Sequence, residues 1–210
     1  DPTTTPATSL RNAVHPDHLE DVRSALFLLQ RTYGFGSNYV LLGHSAGATL
    51  AFQLVMQQQP STSSSTATST AASAEKASLP LPRAIVGVAG IYDIPALVFH
   101  HDSVPVYREF VTSAFGPDEK VWGEASPAKA AAGVFGEWKE VEAVVLAWSS
   151  EDSLVEEEQV RGMEMRLRGE LGDRVVWRRG VRGEHDEVWE DGSQMVGLIE
   201  FVAERLGRGD

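Results

Sequence analysis

The sequence predicts an α/β domain in which a mostly parallel sheet carries helices on both faces. Three observations support this fold class. Several short apolar runs have the length of buried strands, helical segments separate some of them, and a glycine-bounded turn joins the first run directly to a helix. With 210 residues, of which 42% are hydrophobic, the chain is long enough to form a single domain over residues 1–210.

The first predicted elements are a helix, a strand and a second helix. Asp17 and Glu20 have the spacing of a capping box, and Gly34 marks the end of the first helix. The apolar face of this helix consists of Leu19, Val22, Leu26 and Leu29. The apolar run 39–42 predicts a buried strand, and residues 48–59 predict the second helix.

Residues 60–82 are predicted to form a disordered surface loop after the second helix. Within this loop, residues 61–73 contain only Ser, Thr and Ala. Such a segment buries too little apolar surface to offset the entropy lost on ordering, so we expect an insertion between two regular elements.

The rest of the chain resumes the alternation of strands and helices. Three further strands are predicted from apolar runs at residues 84–88, 141–148 and 174–177. Two further helices are predicted at residues 155–171 and 194–206. Residues 91–135 lack sustained periodicity, and we expect them to form a cap-like excursion of short helices over the strand ends.

Composition excludes several classes of protein. The net charge of −12 disfavours nucleic-acid binding, because the phosphates would be repelled. The absence of cysteine excludes disulfides and thiolate metal sites. No apolar stretch approaches a membrane span, and no secretory signal is recognisable. We therefore expect a cytoplasmic protein. We also expect a small-molecule substrate and no cofactor, and a homodimer remains an open expectation.

The segment Gly43-His44-Ser45-Ala46-Gly47 predicts a serine nucleophile. A Gly-x-Ser-x-Gly pattern between a strand and a helix forms a tight turn that projects the hydroxyl from the sheet edge. A serine hydroxyl is a weak nucleophile at neutral pH, so it needs a nearby base and a carboxylate that orients this base. The alternative is a glycine-rich turn that carries an incidental serine.

Asp152 and His185 are the candidates for the two partners of Ser45. Asp152 follows the third predicted strand, and His185 lies in the loop after the fourth, in the order acid then base. Glu151 and Asp93 are the alternatives for the acid. For His185 the alternative is a surface histidine.

No metal site is predicted. His100 and His101 are adjacent to Asp102 but lack a helical ligand spacing, so surface histidines are the preferred interpretation. His44 is interpreted as part of the turn rather than as the base, because an adjacent side chain points away from the serine.

These features together resemble the kynurenine formamidase (arylformamidase) branch of the esterase/lipase-like α/β-hydrolases, especially its fungal members. The segments that carry the resemblance are His15-Pro16-Asp17-His18, residues 43–48, residues 90–95, Phe115-Gly116, Ser126-Pro127 and the loops of Asp152 and His185. They cover most of the chain outside residues 60–82.

The resemblance implies hydrolysis of N-formyl-L-kynurenine to formate and L-kynurenine, a step of tryptophan catabolism, through a formyl-serine intermediate. It assigns Ser45 as nucleophile, His185 as base and Asp152 as the acid that orients the base. The backbone N–H of Ala46 would be one oxyanion donor. The candidates for an apolar wall around the aryl group are Tyr92, Phe99, Tyr107 and Trp189, although core packing is an alternative role for each.

One feature departs from the family. The His-Gly-Gly-type loop that supplies further oxyanion donors is missing, and the first predicted helix comes immediately before the nucleophile strand. We therefore expect the N-terminal strands of the fold to be absent from this sequence. Two alternatives stay open, namely a carboxylesterase or lipase of the same fold and a catalytically impaired, hydrolase-like interaction protein.

Overall fold

The computed structural model describes residues 13–57, 79–190 and 192–207. The strands are β1 (Val40–His44), β2 (Ala84–Val88), β3 (Ala143–Ser149) and β4 (Val176–Val181). The helices are α1 (Asp17–Tyr33), α2 (Ala46–Met56), α3 (Ile94–His100), α4 (Pro105–Phe115), α5 (Glu119–Ala125), α6 (Glu157–Leu171), α7 (Glu187–Glu190) and α8 (Ser193–Leu206). Two short 3-10 helices, Pro127–Lys129 and Phe135–Glu137, lie between α5 and β3.

The four strands form one parallel sheet in the order β1-β2-β3-β4. The central strands β2 and β3 are buried along almost their whole length. On one face, residues of α2 and α6 such as Phe52 and Met163 pack against Ile85 and Val144. On the other face, α8 covers the sheet with residues such as Val202. The predicted α/β fold with helices on both faces of a parallel sheet is confirmed.

The two edge strands differ from their predictions in ways that follow from their position. β1 extends to His44, and Leu42 is exposed because no described strand lies beyond it. β4 continues past the predicted 174–177 to Val181 and includes the exposed Arg178 and Arg179. An edge strand needs an apolar side chain only where it faces a helix, so its sequence pattern is weak.

Helix α1 corrects two predictions about its sequence. Pro16, rather than Asp17, is the N-cap residue, and the Asp17 carboxylate instead accepts a hydrogen bond from Val14 N at 3.2 Å. The prediction of a capping box at Asp17 and Glu20 is therefore wrong. Leu29 was expected on the buried face but is 42% exposed, whereas Arg23 is buried. Gly34 ends the helix in a left-handed conformation with φ +61°, as expected.

Most of the predicted loop 60–82 lies outside the described residues. Residues 79–82 are described, and for these residues the prediction of a disordered surface loop is wrong. Leu79 and Leu81 are buried, and the Pro80 and Pro82 carbonyls accept hydrogen bonds from Tyr39 and Trp138. These apolar and hydrogen-bonded contacts explain why the packed chain resumes several residues before β2.

The segment 91–135 contains α3, α4, α5, the first 3-10 helix and the first residue of the second. Its first residues are held by Gln159 of α6, whose Oε1 accepts hydrogen bonds from the N–H groups of Tyr92 and Asp93. Among the described residues, no helix combines the length and apolar character that a bilayer span requires.

Candidate active site

Ser45 lies in a sharp turn between β1 and α2. Its backbone has φ +53° and ψ −124°, a conformation that non-glycine residues rarely adopt. The Ser45 N–H donates to the Val88 carbonyl at the end of β2 over 2.9 Å. The turn is therefore fixed to the carboxyl edge of the sheet, where α/β folds build their sites.

Gly43 makes this turn sterically possible. A Cβ atom at Gly43 would lie 2.4 Å from the Gly47 carbonyl oxygen, so any larger residue would force β1 and α2 apart. Gly47 has no such requirement, since no described atom beyond its chain neighbours and the backbone of its own helix lies within 4 Å of the Cβ that it lacks. Only the first of the two glycines is required by packing.

Asp152 and His185 lie next to each other after β3 and β4. His185 Nδ1 is 2.9 Å from Asp152 Oδ2, and a carboxylate can only accept, so the ring donates this hydrogen bond from Nδ1–H. Asp152 Oδ1 accepts two more bonds, from the Leu154 and Val155 N–H groups. Burial would raise the pKa of the Asp152 carboxyl, but the hydrogen bonds from His185, Val155 and Leu154 outweigh it and hold the pKa below its usual range.

His44 supports the loop that carries His185. Its Nε2–H donates to the His185 carbonyl oxygen at 2.9 Å, and the centroids of the two imidazole rings are 4.6 Å apart. Burial lowers the pKa of His44 and outweighs the hydrogen bond to His185, which acts in the opposite direction. His44 therefore ties the turn of Ser45 to the loop of His185.

The two alternative acids are not in contact with His185. Asp93 caps α3 by accepting a hydrogen bond from Ala96 N, and its other oxygen pairs with Lys129 Nζ at 3.0 Å. Glu151 is exposed, and its N–H is bonded to the Ser149 hydroxyl. Asp152 is thus the carboxylate that the described contacts bring to the histidine.

Ser45 and His185 line the same cavity of about 340 Å³ at the carboxyl edge of the sheet. The other lining residues are Ala46, Ile91, Leu97, Val106, Tyr107, Phe110, Leu154 and Val155. The Tyr107 hydroxyl donates to the Leu154 carbonyl oxygen at 3.0 Å, which fastens α4 to the loop of Asp152. The cavity wall is mostly apolar, and the Ser45, Tyr107 and His185 side chains are its polar members.

Of the four aromatic residues predicted as a wall, only Tyr107 lines this cavity. Tyr92 is fully buried in the core against Phe52, which is the alternative role considered above. Phe99 is 82% exposed on α3. Trp189 is 49% exposed, with its ring centroid 6.3 Å from that of His44.

The sequence prediction missed the apolar residues of α4 that line the cavity. Pro105 occupies the first turn of α4, and proline is common at the start of helices. Val106 and Phe110 have the i, i+4 spacing of residues on one helix face. These signals could have identified a short helix within the segment 91–135. Their proximity to Ser45, however, depends on how α4 packs.

Three possible metal ligands lie together among the described residues. Ligand atoms of His44, His185 and Asp186 are within 4.8 Å of one another. His185 Nδ1 and His44 Nε2 are already hydrogen-bonded, so each ring has one nitrogen left for an ion.

His101 was expected to be a surface histidine like His100, but it is partly buried. Its ring stacks on that of Tyr107 with centroids 3.9 Å apart, and its Nε2 lies 3.6 Å from Glu156 Oε2.

Two curated fungal relatives match most of the chain. It is 38% identical over 196 residues to a kynurenine formamidase-like hydrolase from Fusarium equiseti, a match that covers 90% of this chain and 60% of the relative. It is 38% identical over 200 residues to a kynurenine formamidase from Aspergillus versicolor, with 85% of this chain and 64% of the relative covered. The chain thus spans about three fifths of the length of these relatives.

The solved structures agree on the fold. Esterase B from Lactobacillus rhamnosis superposes with a TM-score of 0.66 at 14% identity, over 94% of this chain and 63% of that protein. No protein-family model matches the chain. The chain thus has the α/β-hydrolase fold of these esterases, and the curated fungal relatives to which it is similar are named kynurenine formamidase or kynurenine formamidase-like hydrolase.

Proposed function

We propose that the chain is a serine hydrolase that cleaves N-formyl-L-kynurenine to L-kynurenine and formate, a step of tryptophan catabolism. The observation that carries the proposal is the 2.9 Å hydrogen bond from His185 Nδ1–H to Asp152, in a histidine that lines the same cavity as Ser45. Because Nδ1 holds the proton, Nε2 carries the free lone pair that a general base requires.

The reaction proceeds in two halves. Ser45 Oγ attacks the formyl carbon while His185 Nε2 takes its proton, and Asp152 stabilises the resulting imidazolium. When the carbon–nitrogen bond breaks, His185 returns this proton to the departing nitrogen of kynurenine, which leaves a formyl-serine. Water then attacks the formyl carbon, passes a proton to His185, and releases formate as Ser45 Oγ recovers that proton.

The oxyanion is stabilised by the N-terminus of α2. Ala46 is the first residue of this helix, so its N–H has no acceptor within the helix and remains available. The helix dipole also favours negative charge at this end. Ala46 N–H therefore serves as one oxyanion donor, directly beside the nucleophile.

The names of the fungal relatives support a formamide substrate. The cavity that Ser45 lines suits the two parts of such a substrate, the formyl group and the aryl leaving group. A formyl group is small and needs little space beside Ser45. An aryl leaving group needs apolar walls, which Leu97, Phe110 and Val155 supply. The cytoplasmic location, the absence of a cofactor and the homodimer stay predictions of the sequence.

A carboxylesterase is the second candidate, because the solved structures of similar fold include esterases. The ratio of kcat/KM for N-formyl-L-kynurenine to kcat/KM for p-nitrophenyl acetate distinguishes the two functions. We expect the formamide to be the better substrate. Ester hydrolysis without formamide hydrolysis would favour the carboxylesterase.

The nucleophile itself is tested by covalent labelling. A fluorophosphonate probe should label the wild type and the Ser103→Ala variant, whose exposed serine lies outside the cavity, but not Ser45→Ala. Equal labelling of Ser45→Ala would exclude Ser45 as the nucleophile. A wild type without labelling or turnover would favour the interaction protein.

A further inference from the structure

The proposed acid and base lie on two loops that follow neighbouring strands. The loop of Asp152 (residues 150–155) follows β3, and the loop of His185 (residues 182–187) follows β4. The two side chains meet through the hydrogen bond of 2.9 Å between His185 Nδ1 and Asp152 Oδ2. This bond depends on the relative position of the two loops, because each loop is attached to different parts of the fold.

The loop of Asp152 is held by β3 and α4. The indole N–H of Trp148 donates to the Val155 carbonyl oxygen at 2.9 Å. The Tyr107 hydroxyl donates to the Leu154 carbonyl oxygen at 3.0 Å. Neither of these two bonds involves the loop that carries the base.

The loop of His185 is held by α8 and by the turn of Ser45. Gln194 of α8 accepts a hydrogen bond from Arg182 N at 2.7 Å and donates one to the Arg182 carbonyl oxygen at 2.9 Å. His44 donates to the His185 carbonyl oxygen at 2.9 Å. These bonds fix the base relative to α8 and to the nucleophile, but they do not fix it relative to the acid.

A second pair of residues joins the two loops directly. Glu184 Oε2 accepts two hydrogen bonds from Ser153, one from the hydroxyl at 2.7 Å and one from the backbone N–H at 3.1 Å. Ser153 is next to Asp152 in the sequence, and Glu184 is next to His185. Among the described residues, the hydrogen bonds between the two loops are made by these two pairs alone.

The backbone around Glu184 is fixed by its neighbours. Gly183 has φ +97°, a conformation that favours glycine, and an added Cβ there would lie 2.9 Å from Glu187 Cβ. The Glu184 N–H donates to Glu187 Oε2 at 2.9 Å, in the first turn of α7. The loop therefore turns sharply before Glu184, and its side chain reaches across to Ser153.

The bonds between Ser153 and Glu184 contribute little to the stability of the fold. Both residues are exposed, so water competes for these hydrogen bonds. Their geometric effect is larger, because a second connection beside the bond of Asp152 to His185 restricts how far the two loops can separate. A misplacement of ~1 Å at a reacting group can lower a rate about 10²-fold.

We propose that Glu184 is a positioning residue, which keeps the acid and the base aligned by accepting both hydrogen bonds from Ser153. That this alignment serves turnover rests on the proposed function. The alignment itself does not. Without the acceptor the two loops separate more easily, the hydrogen bond from His185 Nδ1–H to Asp152 breaks more often, and the imidazole is correctly oriented for less of the time.

Proton exchange tests the alignment without any reaction. Isotope labelling of histidine lets NMR measure how fast the His185 Nδ1–H proton exchanges with water. We expect this exchange to be roughly tenfold faster in Glu184→Ala than in the wild type. It should stay near the wild-type rate in Glu184→Gln, whose Oε1 still accepts. Glu151→Ala, the same substitution of an exposed acid in the loop of Asp152, should not change it.

Kinetics test the effect on turnover. The kcat for N-formyl-L-kynurenine should fall roughly tenfold in Glu184→Ala with KM unchanged, because Glu184 does not line the cavity. Ser153→Ala should have a smaller effect, since its backbone N–H still donates to Glu184. In the Glu184→Ala background, Ser153→Ala should have no further effect. If Glu184→Ala does not fold, Ser153→Ala gives the same test with the smaller effect.

The outcomes separate this proposal from the proposed function. Unchanged proton exchange in Glu184→Ala, or exchange in Glu184→Gln as fast as in Glu184→Ala, would overturn the positioning role. So would a wild type whose His185 Nδ1–H is not protected from exchange, or faster exchange with an unchanged kcat. Faster exchange in Glu184→Ala combined with a wild type that does not hydrolyse the formamide would keep the alignment and overturn the proposed function.

Discussion

Asp152 Oδ2 accepts a hydrogen bond from His185 Nδ1–H at 2.9 Å, although the Asp152 side chain has no exposed surface. A buried carboxylate remains ionised only if hydrogen bonds compensate for its lost hydration. Here the compensation comes from His185 and from the Leu154 and Val155 N–H groups. The pair therefore links the stability of this loop to the protonation state of the proposed base.

Asp152→Asn should impair the base and change the pH dependence of stability. The amide can donate to His185 Nδ1, which favours the tautomer protonated on Nε2, and we expect kcat to fall on the order of 10³- to 10⁴-fold. The pKa of Asp152 is depressed in the folded protein. Its stabilising effect is therefore complete above the pKa of the unfolded state, near ~4, and is lost as the pH falls through the folded value.

Urea unfolding at a series of pH values measures this effect. The difference in free energy of unfolding between wild type and Asp152→Asn should be constant from pH ~7 to ~5 and should shrink below pH ~4. Glu151→Gln, a matched change in the adjacent exposed acid, should alter neither kcat nor this profile. A difference that stays constant down to pH ~2 would contradict the depressed pKa.

Ser45 is expected to carry backbone strain that glycine relieves. Its φ of +53° with ψ −124° is a conformation that costs a non-glycine residue ~1–3 kcal/mol. Ser45→Ala and Ser45→Gly both remove the hydroxyl, but only glycine relaxes the backbone. After subtracting the greater entropy of unfolded glycine, we expect Ser45→Gly to be about 1 kcal/mol more stable than Ser45→Ala in urea unfolding. A less stable glycine variant would show that the turn is not strained.

The sequence predicted the sheet and the order of the proposed catalytic residues because both depend on local patterns. The run 84–88 is apolar throughout because β2 is covered on both faces, and its predicted limits are those observed. The turn at Ser45 is recognisable because Gly43 must fit against Gly47. In the same way, Asp152 and His185 follow strands whose ends meet at one edge of the sheet.

The missed features depend on contacts between distant segments. Gln159 holds the Tyr92 and Asp93 N–H groups from a helix more than sixty residues away, and no local pattern indicates that pairing. The position of Phe110 near Ser45 likewise depends on how α4 packs. The N-cap of α1 was missed because Asp17 bonds backwards to Val14 rather than forwards into the helix.

The two glycines of the nucleophile turn should respond differently to alanine. Gly43→Ala places a methyl group 2.4 Å from a backbone carbonyl oxygen that cannot move without displacing α2, and we expect a loss of about 3 kcal/mol in stability. Gly47 is the second residue of α2, and no described atom beyond its chain neighbours and the backbone of its own helix lies within 4 Å of an added Cβ. Gly47→Ala should therefore stabilise the protein by ~0.5–1 kcal/mol through helix propensity. Urea unfolding of both variants measures the contrast, and equal losses would contradict the geometry.

Gly87 and Gly90 both make room for the buried Tyr92 side chain, but only Gly90 lies close to its ring carbons. An added Cβ at Gly87 would lie 2.3 Å from the Tyr92 hydroxyl oxygen and 3.4 Å from the ring carbon Cζ. At Gly90 it would lie 2.3 Å from Cζ, 2.4 Å from the hydroxyl oxygen and 2.7 Å from the ring carbon Cε1. The hydroxyl has no hydrogen-bond partner among the described residues, so Tyr92→Phe removes the obstacle at Gly87 without breaking a described bond.

Gly87→Ala should therefore be rescued by Tyr92→Phe, whereas Gly90→Ala should not. We expect Gly87→Ala to cost about 2 kcal/mol in the wild type and at least ~1 kcal/mol less in the Tyr92→Phe background. The cost of Gly90→Ala should stay high in the Tyr92→Phe background, because the ring carbons Cζ and Cε1 still lie 2.3 and 2.7 Å from the added Cβ. Urea unfolding of the two double-mutant cycles measures both coupling energies. An absence of coupling between Gly87→Ala and Tyr92→Phe would mean that the hydroxyl is not what Gly87 accommodates.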